Sequence, residues 1–246
     1  MTPRATTNLP VRKKPPTEHP HIFGMGKRDC VLMLLAVNRP LYVREIARAI
    51  GSEEKKAAKM VRALLEVGVV VCARGSNGVR YVKLNPDFPA YYELLRLLNV
   101  LELHWPQERL GKPARRAERL GLRQAPFAVD DESFPTKRYD RLFGSPIRTR
   151  VLLAIAAIGD TDVTDLARLL TLESRSTWNT VNHLQREGLI RSTIKGRRRA
   201  LELDPDYFAA QALRRLLLRL VEDSEYTVLA RFSIRNPNGK RFTTDR

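Results

Sequence analysis

Few residues in this sequence have the type and spacing to do chemistry, and most lack the partners that chemistry needs. Gly24-Met25-Gly26-Lys27 resembles half a phosphate-binding loop. It lacks the full glycine spacing, a Ser or Thr after the lysine, and a preceding strand long enough to present it. The corresponding Gly144-Ser145-Pro146-Ile147 carries no lysine, so both read as structural turns. Of the four histidines, His19 and His21 lie in a polar N-terminal stretch, and no His/Cys/Asp/Glu set has the spacing for metal ligation or nucleophilic work. Cys30 and Cys72 fall in a predicted helix and a predicted strand, where a buried thiol packs as a small apolar residue. Two thiols are too few for a disulfide framework. These patterns predict no enzyme, no cofactor and no metal site.

The sequence is rich instead in positive charge. It has 44 Lys and Arg against 27 Asp and Glu in 246 residues, a formal net charge of +17. Nucleic acid or an anionic membrane surface would use such an excess. The 43% hydrophobic content supports a packed core. The longest apolar run is eight residues, Val151 to Ile158; a bilayer span needs roughly 20, so no membrane span is expected. Met1 to Pro10 has no apolar signal-peptide core, and a cytoplasmic protein is expected. The charge divides as +3 over 1–22, +5 over 23–103, +2 over 104–140, +5 over 141–222 and +2 over 223–246. Two blocks of similar length and equal charge suggest a repeat.

Sliding the chain against itself by 120 positions brings Phe23-Gly24 onto Phe143-Gly144, Arg28 onto Arg148 and Val31-Leu32 onto Val151-Leu152. Along the same register Ala47-Arg48 meets Ala167-Arg168, Glu53 meets Glu173, Leu64 meets Leu184 and Gly68 meets Gly188. After residue 80 the offset becomes 119: Pro86-Asp87 meets Pro205-Asp206, and Leu97-Leu98 meets Leu216-Leu217. The slip falls between Arg74 and Arg80 in one copy and between Lys195 and Arg199 in the other. A hairpin tip is where an insertion disturbs least. The chain is therefore a duplication of a unit long enough to fold alone.

The two copies predict the same elements. Lys27 to Val37 and Ile147 to Ile158 are apolar helical stretches. Val43, Ile46, Ala47 and Ile50, matched by Val163, Leu166, Ala167 and Leu170, have the spacing of a short helix with one buried face. A tight break follows at Gly51-Ser52 and Thr171-Leu172, with Ser52 as the N-cap of a third helix running to about Val67. The second copy's third helix runs to about Glu187, and Gly68 and Gly188 stand at left-handed helix ends. Strands at Val69 to Ala73 and Arg80 to Leu84 flank Asn77-Gly78, a hairpin signal. Leu189 to Thr193 and Ala200 to Leu203 flank the second turn. Leucine-rich fourth helices are expected from Tyr91 to Leu103 and from Tyr207 to Val221.

Helix, helix, turn, helix, basic hairpin, helix is the order of a winged helix-turn-helix. Val163-Thr164-Asp165-Leu166-Ala167 through Leu184-Gln185-Arg186-Glu187-Gly188-Leu189-Ile190 resembles the ArsR/MarR-type bacterial regulators. Val43-Arg44-Glu45-Ile46-Ala47 through Leu64-Leu65-Glu66-Val67-Gly68-Val69-Val70 is a looser version. The resemblance covers 23–103 and 141–222. It implies a mainly α fold with small β-hairpins, in which two tandem winged helix-turn-helix domains form a pseudo-dimer through the leucine stripes of their fourth helices. Outside the two domains, 1–22 reads as a disordered basic arm, 104–140 as a linker with one helix from Pro113 to Leu120, and 223–246 as a basic extension with a hairpin around Asn236-Pro237-Asn238-Gly239.

In such a motif the third helix enters the major groove. With Ala57, Val61 and Leu64 turned to the core, the first copy shows Lys55, Lys56, Lys59 and Arg62. With Thr177, Val181 and Leu184 turned inward, the second shows Arg175, Ser176, Trp178, Asn179 and Asn182, with His183 beside them. Lysines mainly meet phosphates, whereas Asn can bond adenine and Arg guanine edges bidentately. The second copy therefore reads as the sequence-selective head and the first as the anchor. Trp178 either packs on the hairpin or touches thymine methyls and sugars. Lys195, Arg197, Arg198 and Arg199 crowd the second hairpin tip, and Arg74 with Arg80 brackets the first. Such wings follow the phosphates, place an arginine in a narrow minor groove, or stay solvated.

The expected partner is double-stranded DNA at a non-palindromic site, with further dimerisation between chains open. The resemblance implies transcriptional regulation. The alternatives are a plasmid or phage replication or partition protein, and a winged-helix scaffold for protein interaction that does not touch DNA.

Overall fold

The computed structural model of the chain describes residues 21–24, 27–37, 40–74, 80–104, 128–129, 139–195 and 198–223. Within them the chain is mainly helical with two small antiparallel hairpins. The first repeat runs α1 (Arg28–Val37), α2 (Val43–Ala49), α3 (Glu54–Glu66), β1 (Val70–Arg74), β2 (Arg80–Leu84) and α4 (Tyr91–His104). A two-residue strand β3 (Ala128–Val129) and a 3-10 turn Tyr139–Arg141 intervene. The second repeat runs α5 (Pro146–Ile158), α6 (Val163–Leu169), α7 (Ser174–Arg186), β4 (Ile190–Lys195), β5 (Arg198–Leu203) and α8 (Ala210–Asp223). The bounds of α6 and α7 lie 120 positions beyond those of α2 and α3, and those of α8 lie 119 beyond α4, as the sequence register requires.

α1 and α5 are buried on nearly every side, from Asp29 to Leu35 and from Arg148 to Ala157 apart from Arg150, so each is the central rod of its repeat. Pro146 opens α5 with its ring pre-set for a helix, and Ser145 Oγ accepts from Arg148 N at 3.2 Å. α2 is held by Glu45, whose carboxylate takes the Tyr42 N–H at 3.3 Å, and α6 by Asp162, which takes the Asp165 N–H at 2.9 Å. Both helices end in a left-handed residue, Gly51 at φ 58 and Thr171 at φ 52. For Thr171 that conformation is strained, because a β-branched side chain crowds the backbone there.

Ser52 is not an N-cap. Its N–H bonds Ala47 O at 2.9 Å and closes α2, and Glu53 stands at the α3 N-cap position. At the far end Gly68 N bonds Leu65 O at 2.9 Å while Val69 N bonds Leu64 O at 3.2 Å. Gly188 and Leu189 repeat the arrangement on Gln185 and Leu184, with the glycines at φ 76 and 74. These paired bonds consume the Val69 and Leu189 N–H groups, so β1 and β4 begin one residue later than expected.

β1 pairs with β2 from Val70↔Leu84 to Arg74↔Arg80, and β4 pairs with β5 from Ile190↔Leu203 to Lys195↔Arg198. A single residue between the first two helices of each repeat tacks onto its hairpin, Leu41 on Val82 and Thr161 on Leu201. β3 adds to the outer edge of β1, with Ala73↔Val129 and Arg74↔Ala128, which the sequence did not announce. After each hairpin an Asx turn forms: Asn85 Oδ1 accepts from Asp87 N and Asp204 Oδ1 from Asp206 N. α8 starts at Ala210 and not at Tyr207, because Tyr207 belongs to that turn, as Phe88 does in the first repeat.

One continuous core runs through both repeats, and Leu94, Leu97, Leu98 and Leu101 of α4 are buried with Leu213, Leu216, Leu217 and Leu220 of α8. The contacts between repeats are reciprocal, as a two-fold axis requires. Phe23 stacks on Phe143 with ring centres 5.6 Å apart. Gly24 and Gly144 cross back to back; a Cβ built on Gly24 would lie 2.6 Å from Gly144 Cα. Arg28 Nη1 donates to Arg141 O at 3.2 Å, and Arg148 Nη2 donates to His21 O at 2.7 Å. Two boundaries move accordingly. His21 and Ile22, assigned to the basic arm, are packed here, Ile22 fully buried. Tyr139, assigned to the linker, lies edge-on to Phe88 and donates to Asp223 Oδ2 at 2.7 Å. Residues 1–20, the Pro113 to Leu120 helix and the C-terminal hairpin lie outside the described residues.

Candidate nucleic-acid interface

The exposed faces of α3 and α7 follow from what each helix buries. Ala57, Val61 and Leu64 face the core from α3, and Thr177, Val181 and Leu184 from α7. Thr177 is accommodated because its hydroxyl donates at 3.0 Å to the carbonyl of Glu173, the residue that precedes its helix. A helix has 3.6 residues per turn, so Lys55, Lys56, Lys59 and Arg62 emerge together on the solvent side of α3. Lys56 Nζ lies 2.7 Å from Glu53 Oε1, with both side chains more than two-thirds exposed. Such a pair is worth little in water and gives way to a stronger anion.

On α7, Arg175, Trp178 and Asn179 are exposed, while Ser176 and Asn182 are half-buried. The Ser176 hydroxyl donates to Glu173 Oε2 at 2.9 Å. Trp178 is 52% exposed. His183, one turn further on, approaches Glu187 Oε1 at 3.3 Å. The face thus offers amide, guanidinium and indole groups, where α3 offers ammonium groups and one guanidinium.

A hairpin follows each of these helices and packs on it. Arg74 and Arg80 are exposed cross-strand partners at the outer end of β1 and β2. In the second hairpin Arg199 is committed internally: Nε donates to Ser192 Oγ at 2.9 Å and Nη2 to Gln185 Oε1 at 3.0 Å. It therefore ties the hairpin to α7 instead of standing free. Lys195 and Arg198 close the ladder as backbone partners; their side chains, and Arg197 entirely, lie outside the described residues.

The glycine-rich segment before α1 is structural in its described part. Lys27 Nζ donates to Ile50 O at 2.5 Å and Gly51 O at 2.7 Å, finishing α2, while Gly24 makes the crossing with Gly144. Cys30 is buried in α1 and Cys72 half-buried in β1. Among the described residues no group of three or more His, Cys, Asp or Glu is placed to hold a metal ion.

A polar cluster that the sequence did not reveal sits where the repeats meet. Asp29, 1% exposed, accepts from Phe23 N at 3.1 Å and lies 3.4 Å from His21 Nδ1. Arg148 bonds Glu187 Oε2 at 2.6 Å, and its other terminal nitrogen takes the His21 carbonyl. Glu187 caps α7, so this arginine fixes the end of the polar-faced helix to the opposite repeat. The Asp29 hydrogen bond holds the His21 imidazole above its ordinary value, against a downward push from burial. Burial, with the Asp29 and Glu187 charges behind it, pushes the Tyr207 hydroxyl far up. A heptad or strand period carries no sign of these contacts, whose members are separated by up to 127 residues.

No family model matches the chain, and no curated protein matches it. No described helix is long and apolar enough to cross a membrane.

Proposed function

We propose that the chain binds double-stranded DNA through two tandem winged helix-turn-helix units joined as a pseudo-dimer, and that it acts as a cytoplasmic transcriptional regulator without enzymatic activity. One observation carries the reading: α3 and α7, at equivalent places in the repeat, both bury an apolar stripe and expose a polar or basic face beside a hairpin. Helix-turn-helix proteins present their reading helix in this way, and a major groove admits a helix of that width. The +5 on each repeat supplies the phosphate attraction. Because α3 exposes Lys55, Lys56, Lys59 and Arg62 where α7 exposes Arg175, Trp178 and Asn179 beside a half-buried Asn182, the bound site is non-palindromic. The α7 half contacts base edges, and the α3 half contacts mainly phosphates.

Selection of bound fragments from random duplex DNA by the intact chain tests this, followed by titration against salt. An asymmetric site is expected, with half-sites about one helical turn apart. Asn179→Ala with Asn182→Ala should cost selectivity by on the order of 1–3 kcal/mol per lost base contact. Changing Lys55, Lys56 and Lys59 to Ala should weaken all sequences alike and flatten the log–log salt slope by about 0.9 per lost phosphate contact. Absent or salt-insensitive binding refutes the proposal.

A further inference from the structure

The second hairpin overhangs the body of its repeat, and its overhang carries a residue out of keeping with a solvated loop. Cross-strand partners stand on one face of an antiparallel pair. Ile190 with Leu203, Ser192 with Leu201, and Ile194 with Arg199 therefore share a face. That face begins in the core, where Leu201 is fully buried and Ile190 is 2% exposed, and ends in the open, where Ile194 is 84% exposed. Arg199 anchors the overhang to Gln185 in the last turns of α7, so Ile194 projects from a hairpin fixed to the polar-faced helix. Its branched Cβ leaves few χ1 rotamers, and little freedom is lost when it is gripped.

The first repeat gives the comparison. There the position equivalent to Ile194 is Arg74, opposite Arg80, and the position equivalent to Trp178 is Ala58. The first repeat thus shows a cation and a methyl group where the second shows an isoleucine and an indole. Next to Ile194 the sequence carries Lys195, Arg197 and Arg198, so an apolar residue is flanked in sequence by cations. That combination suits a polyanion with an apolar interior, which is what stacked base pairs between phosphate rails are.

We infer that Ile194 is an apolar wedge that enters a base step at the α7 half-site and bends the duplex on that side only. The inference rests on the duplex-binding reading above and deepens it: the second repeat deforms DNA while the first holds it straight. Unstacking a step is unfavourable, and burial of the isoleucine with the added phosphate contacts offsets it.

The test uses the full chain and the duplex it selects, end-labelled for energy transfer and carrying 2-aminopurine at successive steps. A bend centred on one half-site is expected, with 2-aminopurine brightening at a single step there. Ile194→Ser should bind about tenfold more weakly and lose most of the bend, whereas Ile194→Met should keep it. Because Ile194 is exposed, the serine variant should melt at the same temperature as the parent, which separates the wedge from misfolding. A duplex bound but straight, a bend midway between half-sites, or a serine variant that bends as well as the parent overturns the wedge alone. Failure to bind any duplex overturns the DNA reading and the wedge with it. If the serine change alters only self-association of the chain, the exposed isoleucine serves a protein contact and the wedge is wrong.

Discussion

Replacing Gly24 by alanine strikes the two repeats at their narrowest crossing. The new Cβ would lie 2.6 Å from Gly144 Cα and 3.2 Å from Phe143 O, on a residue held at φ +94. Two costs add. A left-handed backbone costs an L residue roughly 1–2 kcal/mol. Carbon atoms rest about 3.5–4.0 Å apart, so the two segments must part by about 1 Å. That movement opens the Phe23–Phe143 stack beside it, both rings fully buried, at an overpacking cost of about 1–3 kcal/mol. The sum is about 2–5 kcal/mol. Gly188→Ala is the control, because Gly188 sits at φ +74 with nothing within 4 Å and meets the backbone cost alone. Urea unfolding of the full chain, followed by circular dichroism and fluorescence, gives both values by linear extrapolation. Gly24→Ala should exceed the control by about 1–3 kcal/mol. Adding Gly144→Ala should cost less than a second full increment, since the two sites share one contact. If Gly24→Ala costs no more than Gly188→Ala, the crossing does not exist as described and the packing of the repeats is wrong.

Two further perturbations address the polar cluster. Glu187→Ala leaves the Arg148 guanidinium, 8% exposed, without its carboxylate and should cost about 3–5 kcal/mol in chemical denaturation. Arg148→Met with Glu187→Leu should recover most of that; equal losses in single and double variants would show the pair to be incidental. His21 tests the sign of a proton linkage. Its value is raised from 6.5 by Asp29, so the folded state favours the protonated ring. The stabilisation is complete below the unfolded value and disappears as pH rises through the folded one. The melting temperature of the parent minus that of His21→Gln should therefore be largest in mild acid and shrink as pH rises. Asp29→Asn should flatten that dependence, and a difference that grew with pH would reverse the assignment.

The repeat register was legible because it is local and periodic. Val43, Ile46, Ala47 and Ile50 announce α2 by spacing, and Gly68 and Gly188 mark helix ends by residue type. The exposed faces of α3 and α7 were legible for the same reason. Placements that depend on the other repeat were not. Ile22 sits in a polar, proline-rich stretch, and its burial comes from partners more than 120 residues away, such as Arg148, whose guanidinium bonds its carbonyl. Arg148 itself looks like a surface cation at the head of an apolar helix, and only Glu187, 39 residues on, makes its burial tolerable. Ser52 misled because a hydroxyl beside a glycine satisfies the rules for either end of a helix. The commitment of Arg199 to Gln185 was hidden among four neighbouring cations of apparently equal standing.

The polar cluster also makes the two sides of the junction unlike. Where the second repeat has Glu187, the first has Val67, and where the first has Asp29, the second has Thr149, which takes the Phe143 N–H in its stead. Each half settles its own charges, Asp29 with His21 in the first repeat and Arg148 with Glu187 in the second. What crosses the junction is the Arg148 guanidinium, which donates to the His21 and Ile22 carbonyls, and the Arg28 guanidinium, which donates to the Arg141 carbonyl. The two are tethered, so the partner half is always at high effective concentration. A nascent chain therefore closes on itself, and exchange of halves between neighbouring chains gains nothing.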